Sequence, residues 1–277
     1  MEHLPIRLLA LDLDGTVLND EKRISPRTAA ALTEALARGV VVIPATGRTV
    51  SGIAPDFLAL PGVRYALVSN GARVEDLAAG VSIVRQYLPT ALALRAYDRL
   101  ACYDCTIDLF QDGRGYTTTR NLAAFDHLVP PNLLPYLRAS RTPVEDLRGL
   151  IAAQPDGVEK LTLFFRHEDE RLRAWGEMEA LGLAPVSSLP HNMELNAPGV
   201  DKGTGLLALA AALGIPPEAT MACGDGGNDT AMLRAAGVGV AMANAFDEVK
   251  AAADYITASN NEDGVALAVE KFILGRA

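Results

Sequence analysis

Cysteine is scarce in this chain of 277 residues: Cys102, Cys105 and Cys223 are the only three. So small and odd a number excludes a disulfide-stapled scaffold and suits a reducing cytoplasm. The Cys102-Tyr-Asp-Cys105 spacing offers half a zinc site, but no second Cys or His pair stands at ligand spacing to complete it. Basic residues are also in deficit, 25 Lys and Arg against 34 Asp and Glu, for a formal charge of −9. A surface built to neutralise nucleic-acid phosphates needs the opposite balance, so no nucleic-acid partner is expected and any anionic ligand must be caught by a local site. Long apolar runs are missing too. The longest, "GLLALAAALGI" at 205–215, is too short to cross roughly 30 Å of bilayer hydrocarbon. The opening "MEHLPIRLLALDLDG" carries Glu2, Arg7 and two aspartates and reads as a first strand, not a signal peptide. No membrane association is expected, and the expected location is cytoplasmic.

What the chain does have is apolar mass: 49% of its residues are hydrophobic and 21% charged. The length suggests two domains, or one domain with a large insertion. At the start, "IRLLALD" is an uninterrupted apolar run, as in a parallel strand covered on both faces. Ser25-Pro26 then supplies an N-cap and an N1 proline for the helix "RTAAALTEALARG", with Gly39 at its C′ position. "VVVIPAT" reads as a second buried strand and "YALVSN" as a third. This βαβα order predicts a parallel sheet. From about residue 84 the pattern changes. "CTIDLFQDGRGYTTT" reads as a β-hairpin, "VEKLTLFFR" as a strand and "HEDERLRAWGEMEALG" as a charged helix, with prolines at 130, 131, 135 and 143 as punctuation. Beyond about residue 195 the first rhythm returns. The expected organisation is therefore one α/β core from residues 1–84 and 195–277, interrupted by an α+β insertion at 85–194.

The apolar run of the first strand ends in "LDLDGTVLND". In an open α/β sheet ligands bind beyond the carboxyl ends of the strands, where Asp12 and Asp14 fall, and side chains two apart on a strand point the same way. An Asp-Gly turn is the plainer alternative. A calcium loop is excluded because glycine follows the second Asp directly, and no P-loop occurs anywhere in the chain. Other candidates stand at the ends of other runs. "ATGR" brings Thr46, Gly47 and Arg48; "GVDKGTG" brings Lys202 at a helix start, where free N–H groups favour an anion; "GDGGND" brings Asp225, Asn228 and Asp229. Singly, each fits a turn, a cap or a solvated charge. Jointly, a carboxylate pair, one lysine and a second acidic cluster at successive strand ends point to one site.

These pieces, together with "SNGA", "MELNAPGVDKG", "ANAFDEVKAAADYIT" and "SNNEDGVALAVEKF", resemble the haloacid dehalogenase (HAD) superfamily, and within it the Cof-type phosphatases of subclass IIB. Gly227 departs from the pattern, since relatives often carry a larger residue there. The resemblance implies an α/β fold: a HAD-like Rossmannoid core, its parallel sheet flanked by helices, plus an inserted α+β cap of the C2 type that closes over the core site and chooses the leaving group. It implies Asp12 as the nucleophile forming an aspartyl-phosphate and Asp14 as the general acid and base. Mg²⁺ would be held by the Asp12 carboxylate, the Asp14 main-chain carbonyl and Asp225, with Asp229 as an orienting residue or a partner for Lys202. Lys202, Thr46, the Gly47 amide, Asn228 and the Leu13 amide would surround the phosphoryl group, with Arg48 and Asn70 touching substrate beyond it. The substrate class so implied is a small phosphorylated metabolite, sugar phosphates first, with pyridoxal phosphate or flavin mononucleotide as alternatives. A phosphomutase-type transferase and a binding protein without turnover are the other readings. Whether the protein is a monomer or a dimer is left open.

Overall fold

The computed structural model describes residues 4–129 and 131–276; Pro130, one of the punctuating prolines, lies outside the described residues. The first stretch runs β1 (Leu8–Leu11), α1 (Pro26–Ala37), β2 (Val41–Pro44), α2 (Pro55–Leu58), β3 (Tyr65–Val68), β4 (Arg73–Asp76) and β5 (Val81–Arg85). There follow α3 (Thr90–Leu100), β6 (Cys105–Gln111), β7 (Arg114–Thr118), α4 (Thr119–Leu128), α5 (Leu134–Ser140), β8 (Arg141–Val144), α6 (Leu147–Ala152), β9 (Lys160–Phe165), α7 (Glu168–Ala180) and β10 (Asn192–Leu195). The last stretch is α8 (Lys202–Ala212), β11 (Thr220–Gly224), α9 (Thr230–Ala235), β12 (Val238–Ala241), α10 (Asp247–Lys250), β13 (Tyr255–Ile256) and α11 (Gly264–Val269). Two units result, one made of the chain up to Gly47, Ile53–Arg85 and the chain from Asp201 onward, the other of Arg48–Gly52 and Gln86–Val200.

The first unit is an α/β layer structure around a five-stranded sheet of order β13-β12-β11-β1-β2, every pair parallel. β1 lies between β11 and β2 with all four residues buried, which is why its sequence is an unbroken apolar run. α1 starts as its sequence requires: Ser25 Oγ accepts from the Thr28 amide, Pro26 is the first helical residue, and Gly39 follows the helix at φ +83°. One expectation is corrected. "YALVSN" does not extend the parallel sheet as a full strand: β3 touches that sheet through a single Ala45–Leu67 bridge and pairs antiparallel with β4, which pairs with β5. Three consecutive left-handed residues, Ser69, Asn70 and Gly71, turn the chain back on itself where a crossover would be needed.

The second unit holds a sheet of order β10-β9-β6-β7-β8, antiparallel except for the β7–β8 pair. Alternation divides its residues between two faces. Ile107, Leu109, Leu161, Leu163, Phe165, Met193 and Leu195 join α3, α6 and α7 in an apolar core. The opposite face carries Thr106, Asp108, Lys160, Thr162 and Glu194 together with Phe110 and Phe164. Among the described residues no helix is long and apolar enough to cross a membrane.

Candidate active site

Asp12 follows directly on β1, Thr46 and Gly47 stand just beyond β2, Asp225 follows β11, and Lys202 is the first residue of α8. The carboxyl ends of three neighbouring parallel strands and one helix start thus deliver the candidates together. Lys202 is fully buried, and its Nζ donates to Asp12 Oδ1 and Asp229 Oδ1, both at 2.6 Å. A buried ammonium needs such partners, and Asp201 fixes its backbone by a capping box with Thr204. Asp229 uses its other oxygen to accept from the Asp225 and Gly226 amides, at 3.0 and 2.9 Å, so both its oxygens are engaged. Thr16 Oγ1 donates to Asp225 Oδ1 at 2.6 Å.

Two glycines in this region are dictated by contact. A Cβ on Gly15, at φ +83°, would lie 2.3 Å from Asp225 Oδ2, so the Asp14-Gly15 turn passes the second acidic strand end only without a side chain. At Gly71, φ +97°, a Cβ would lie 2.1 Å from the Asp201 carbonyl oxygen, which lets the "SNG" turn press against the start of α8. In that turn Asn70 holds φ +56°, a conformation Asn tolerates better than most residues. Its Oδ1 accepts from Asn228 Nδ2 at 3.1 Å and its amide donates to the Thr46 carbonyl, so three candidate loops interlock. The Leu13 amide makes no hydrogen bond among the described residues, while the Leu13 side chain is fully buried.

The charges do not balance: Asp12, Asp225 and Asp229 face one ammonium. Burial pushes the Asp12 carboxyl well above the usual carboxylate range, offset in part by Lys202 and reinforced by Asp229 and Asp225. Asp225 is pushed up to about 7, first by burial and then by Asp229. Burial acts to lower Lys202, but Asp12 and Asp229 outweigh it and hold the ammonium charged. Carboxylate oxygens of Asp12, Asp225 and Asp229 lie within 4.8 Å of one another, a donor set of hard oxygens that fits a divalent cation and would be relieved of its repulsion by one.

Asp14 stands apart from this buried group. It is about one-third exposed, and its Oδ1 accepts from Lys22 Nζ at 2.9 Å. Sequence reasoning missed Lys22. It lies eight residues on, in a turn where it holds φ +60° and donates its amide to Asn19, and no residue pattern announces that its side chain returns to Asp14. Thr16 was missed as well, although its place directly after "DLDG" was a usable signal. Arg48 falls in the second unit, where its guanidinium lies 4.2 Å from the Tyr136 ring centroid and Nη1 donates to the Gly52 carbonyl.

The family model described as haloacid dehalogenase-like hydrolase matches residues 9–269. The chain belongs to the haloacid dehalogenase-like hydrolases, on the phosphatase side of that family. It is 33% identical over 273 residues to the 5-amino-6-(5-phospho-D-ribitylamino)uracil phosphatase YcsE of Bacillus subtilis, covering 99% of this chain and 98% of that protein. It is 32% identical to the pyridoxal phosphate phosphatase YbhA of Escherichia coli over 94% of this chain and 96% of that one. Among solved structures, the subclass IIB sugar phosphatase BT4131 superposes with a TM-score of 0.83 at 26% identity, covering 96% of this chain and 98% of that chain.

Proposed function

We propose that this protein is a Mg²⁺-dependent phosphomonoesterase that hydrolyses small phosphorylated metabolites, sugar phosphates first among them, through an aspartyl-phosphate on Asp12. The observation that carries the reading is the buried Lys202 ammonium held at 2.6 Å from both Asp12 and Asp229. One oxygen of Asp12 is thereby fixed, and the other accepts no hydrogen bond among the described residues. A carboxylate needs no activating base, so its difficulty is repulsion by the phosphate's own charge.

In the first step the free Asp12 oxygen attacks phosphorus, the bond to the leaving alcohol breaks, and Asp14 gives that alcohol its proton. In the second, Asp14 takes a proton from water as the water's oxygen attacks phosphorus, which frees inorganic phosphate and restores Asp12. Lys202, Thr46, Asn228 and the Leu13 and Gly47 amides bind the phosphoryl oxygens, since this chemistry is mostly positioning and charge stabilisation. Asp12, Asp225 and the Asp14 carbonyl would hold Mg²⁺, which when bound neutralises charge on the phosphoryl group. Asp229 orients Lys202 and the Asp225 turn.

The identity with YbhA favours, as a second reading, the phosphorylated cofactor pyridoxal phosphate. The test is phosphate release from a panel of sugar phosphates, pyridoxal phosphate, flavin mononucleotide and nucleotides, with Mg²⁺ and with EDTA. Release is expected to require Mg²⁺, to vanish in Asp12→Asn, and to fall to a few per cent or less in Asp14→Asn with metal binding retained. Wild-type rates in Asp12→Asn would refute the mechanism, and transfer to a second substrate without free phosphate would point to a mutase.

A further inference from the structure

Within the first unit, the ends of the strands away from the acidic cluster frame a cavity of about 370 Å³ that nothing in the mechanism uses. Arg7 stands just before β1, and Val41 and Tyr65 open β2 and β3, whereas Asp12 and Thr46 follow β1 and β2 at the other end. The four buried residues of β1 separate the two places by roughly 13 Å. A cavity of this size suits a small molecule. Leu36 of α1, Val40 and Val41 give it aliphatic walls on one side, and Leu213 and Ile215, just beyond α8, on the other. Gly39 and Gly62, at φ +83° and +97°, border it without side chains.

Two arginines and a tyrosine also line the cavity, and among the described residues no acidic side chain does. The arginines are not alike. Arg64 is committed: its Nε and Nη2 donate to the Asp76 carboxylate, Nη2 at 2.6 Å, and its guanidinium lies 5.1 Å from the Tyr65 ring centroid. Arg7 has no carboxylate partner among the described residues, and its Nη1 donates to the Gly214 carbonyl at a long 3.4 Å. The Tyr65 hydroxyl likewise makes no hydrogen bond among the described residues. A solvated surface arginine needs no partner, but this one borders a hollow with aliphatic walls. An anion there would gain a charge-assisted bond and bury its apolar part in one step.

We infer that this cavity binds an amphipathic monoanion, a carboxylate with an aliphatic body, as a second ligand site of the protein. The carboxylate pairs with the Arg7 guanidinium, whose planar fork matches its two oxygens, and the Tyr65 hydroxyl can donate to the same group. The hydrocarbon chain covers the aliphatic walls. Three other ligand classes fit less well. A phosphate dianion would need a second unmatched cation, and Arg64 is already neutralised by Asp76. A cation would face two guanidinium groups. An aromatic body would need a free ring face to stack on, and Tyr65 has Arg64 over its ring. Because the cavity and Asp12 lie at opposite ends of β1, the site does not depend on the phosphatase reading.

Titration calorimetry of the full chain with octanoate, in EDTA so that no metal offers the carboxylate another partner, tests this. Saturable binding of one octanoate per chain is expected. Butyrate, which has four fewer methylenes to bury, and octanol, which has no charge, should each bind at least about tenfold more weakly. Arg7 is exposed, so Arg7→Met should fold as the wild type does, and it is expected to weaken octanoate about tenfold or more. Arg7→Lys keeps the charge without the fork and should lose about threefold. Lys202→Met should bind octanoate as the wild type does, since its ammonium belongs to the cluster at the far end of the strands. The inference is overturned by an absence of saturable octanoate binding, by equal affinity in Arg7→Met, or by octanol binding as tightly as octanoate. Loss of octanoate binding in Lys202→Met would also overturn it, by placing the anion at the acidic cluster. Each of these outcomes leaves the phosphatase reading standing, because none measures phosphate release.

Discussion

The two units bury charge in opposite ways. In the first, three aspartates surround one lysine, and the surplus of negative charge raises Asp12 and Asp225. In the second, Arg141 with Asp108 and Lys160 with Glu194 form two closed pairs. Unequal charge is expensive to bury unless something arrives to cancel it. Matched pairs cost desolvation too, but they fix geometry without asking for a counterion. The imbalance therefore marks where a cation and a phosphoryl group can be exchanged, and the balance marks a surface meant to stay as it is.

The sharpest way to break the comparison is to remove the one cation in the unequal cluster. Lys202→Met is expected to lower kcat/KM by about a thousandfold, since a buried, preorganised donor to the developing charge is lost. Lys202→Arg should recover little of it, because a forked guanidinium cannot place one nitrogen 2.6 Å from both Asp12 and Asp229 as the ammonium does. Phosphate release at saturating Mg²⁺, with far-ultraviolet circular dichroism as the check on folding, reads the effect.

The matched pairs should answer differently. Asp108→Ala leaves the Arg141 guanidinium buried without its partner and is expected to cost about 3–5 kcal/mol of stability. The double variant Asp108→Ala with Arg141→Met should recover much of that loss, as denaturant unfolding would show. A double variant no more stable than the single would mean that Arg141 holds the unit together by packing on Phe110 and not by its charge.

This contrast also explains what was legible in the sequence. Asp12, Thr46 and Asp225 could be placed because each ends a buried parallel strand, and such strands are written as unbroken apolar runs with the chemistry just beyond them. Lys202 could be placed because "GVDKGTG" reads as a helix start, where free N–H groups favour an anion. The opposite face of the second unit's sheet could not. Thr106, Asp108 and Phe110 alternate with Ile107, Leu109 and Gln111, so the strand was visible, but which of its polar residues would be partnered depends on neighbours brought in from β8, β9 and β10. The β3–β4–β5 sheet was missed for a related reason: "YALV" looks like any buried strand, and its reversal is encoded in the left-handed Ser69-Asn70-Gly71 turn that follows.

The unequal cluster should also respond to pH. With no metal, the raised carboxyls bind protons more tightly in the folded than in the unfolded chain, so folding is favoured while they stay protonated. For Asp225 that contribution is fully present below pH 3.8 and is lost as pH rises towards about 7; Asp12 shifts in the same direction. Across this window the EDTA-treated protein is expected to lose a few degrees of Tm relative to an Asp225→Asn variant. Added Mg²⁺ should raise Tm more at pH 8 than at pH 5, because it competes with protons for the same oxygens. A Tm gain from Mg²⁺ that is the same at both pH values would mean that the ion binds elsewhere.

The smallest expected effect concerns Lys22, the cation that pairs outside the buried cluster. Its contact with Asp14 is partly exposed, 38% and 32% for the two side chains, and such pairs are worth little to stability, so Lys22→Met should leave Tm unchanged. Its influence should lie in where the Asp14 carboxyl points. On the proposed mechanism a poor leaving group such as a sugar hydroxyl needs the proton Asp14 delivers, whereas p-nitrophenolate departs without one. Lys22→Met is therefore expected to lower kcat up to about fivefold on sugar phosphates, with KM little changed, and to leave p-nitrophenyl phosphate alone, while Lys22→Arg retains most of the rate. An equal loss on both esters would place Lys22 with the phosphoryl-binding groups and put one more positive charge on the side of the cluster that lacks it.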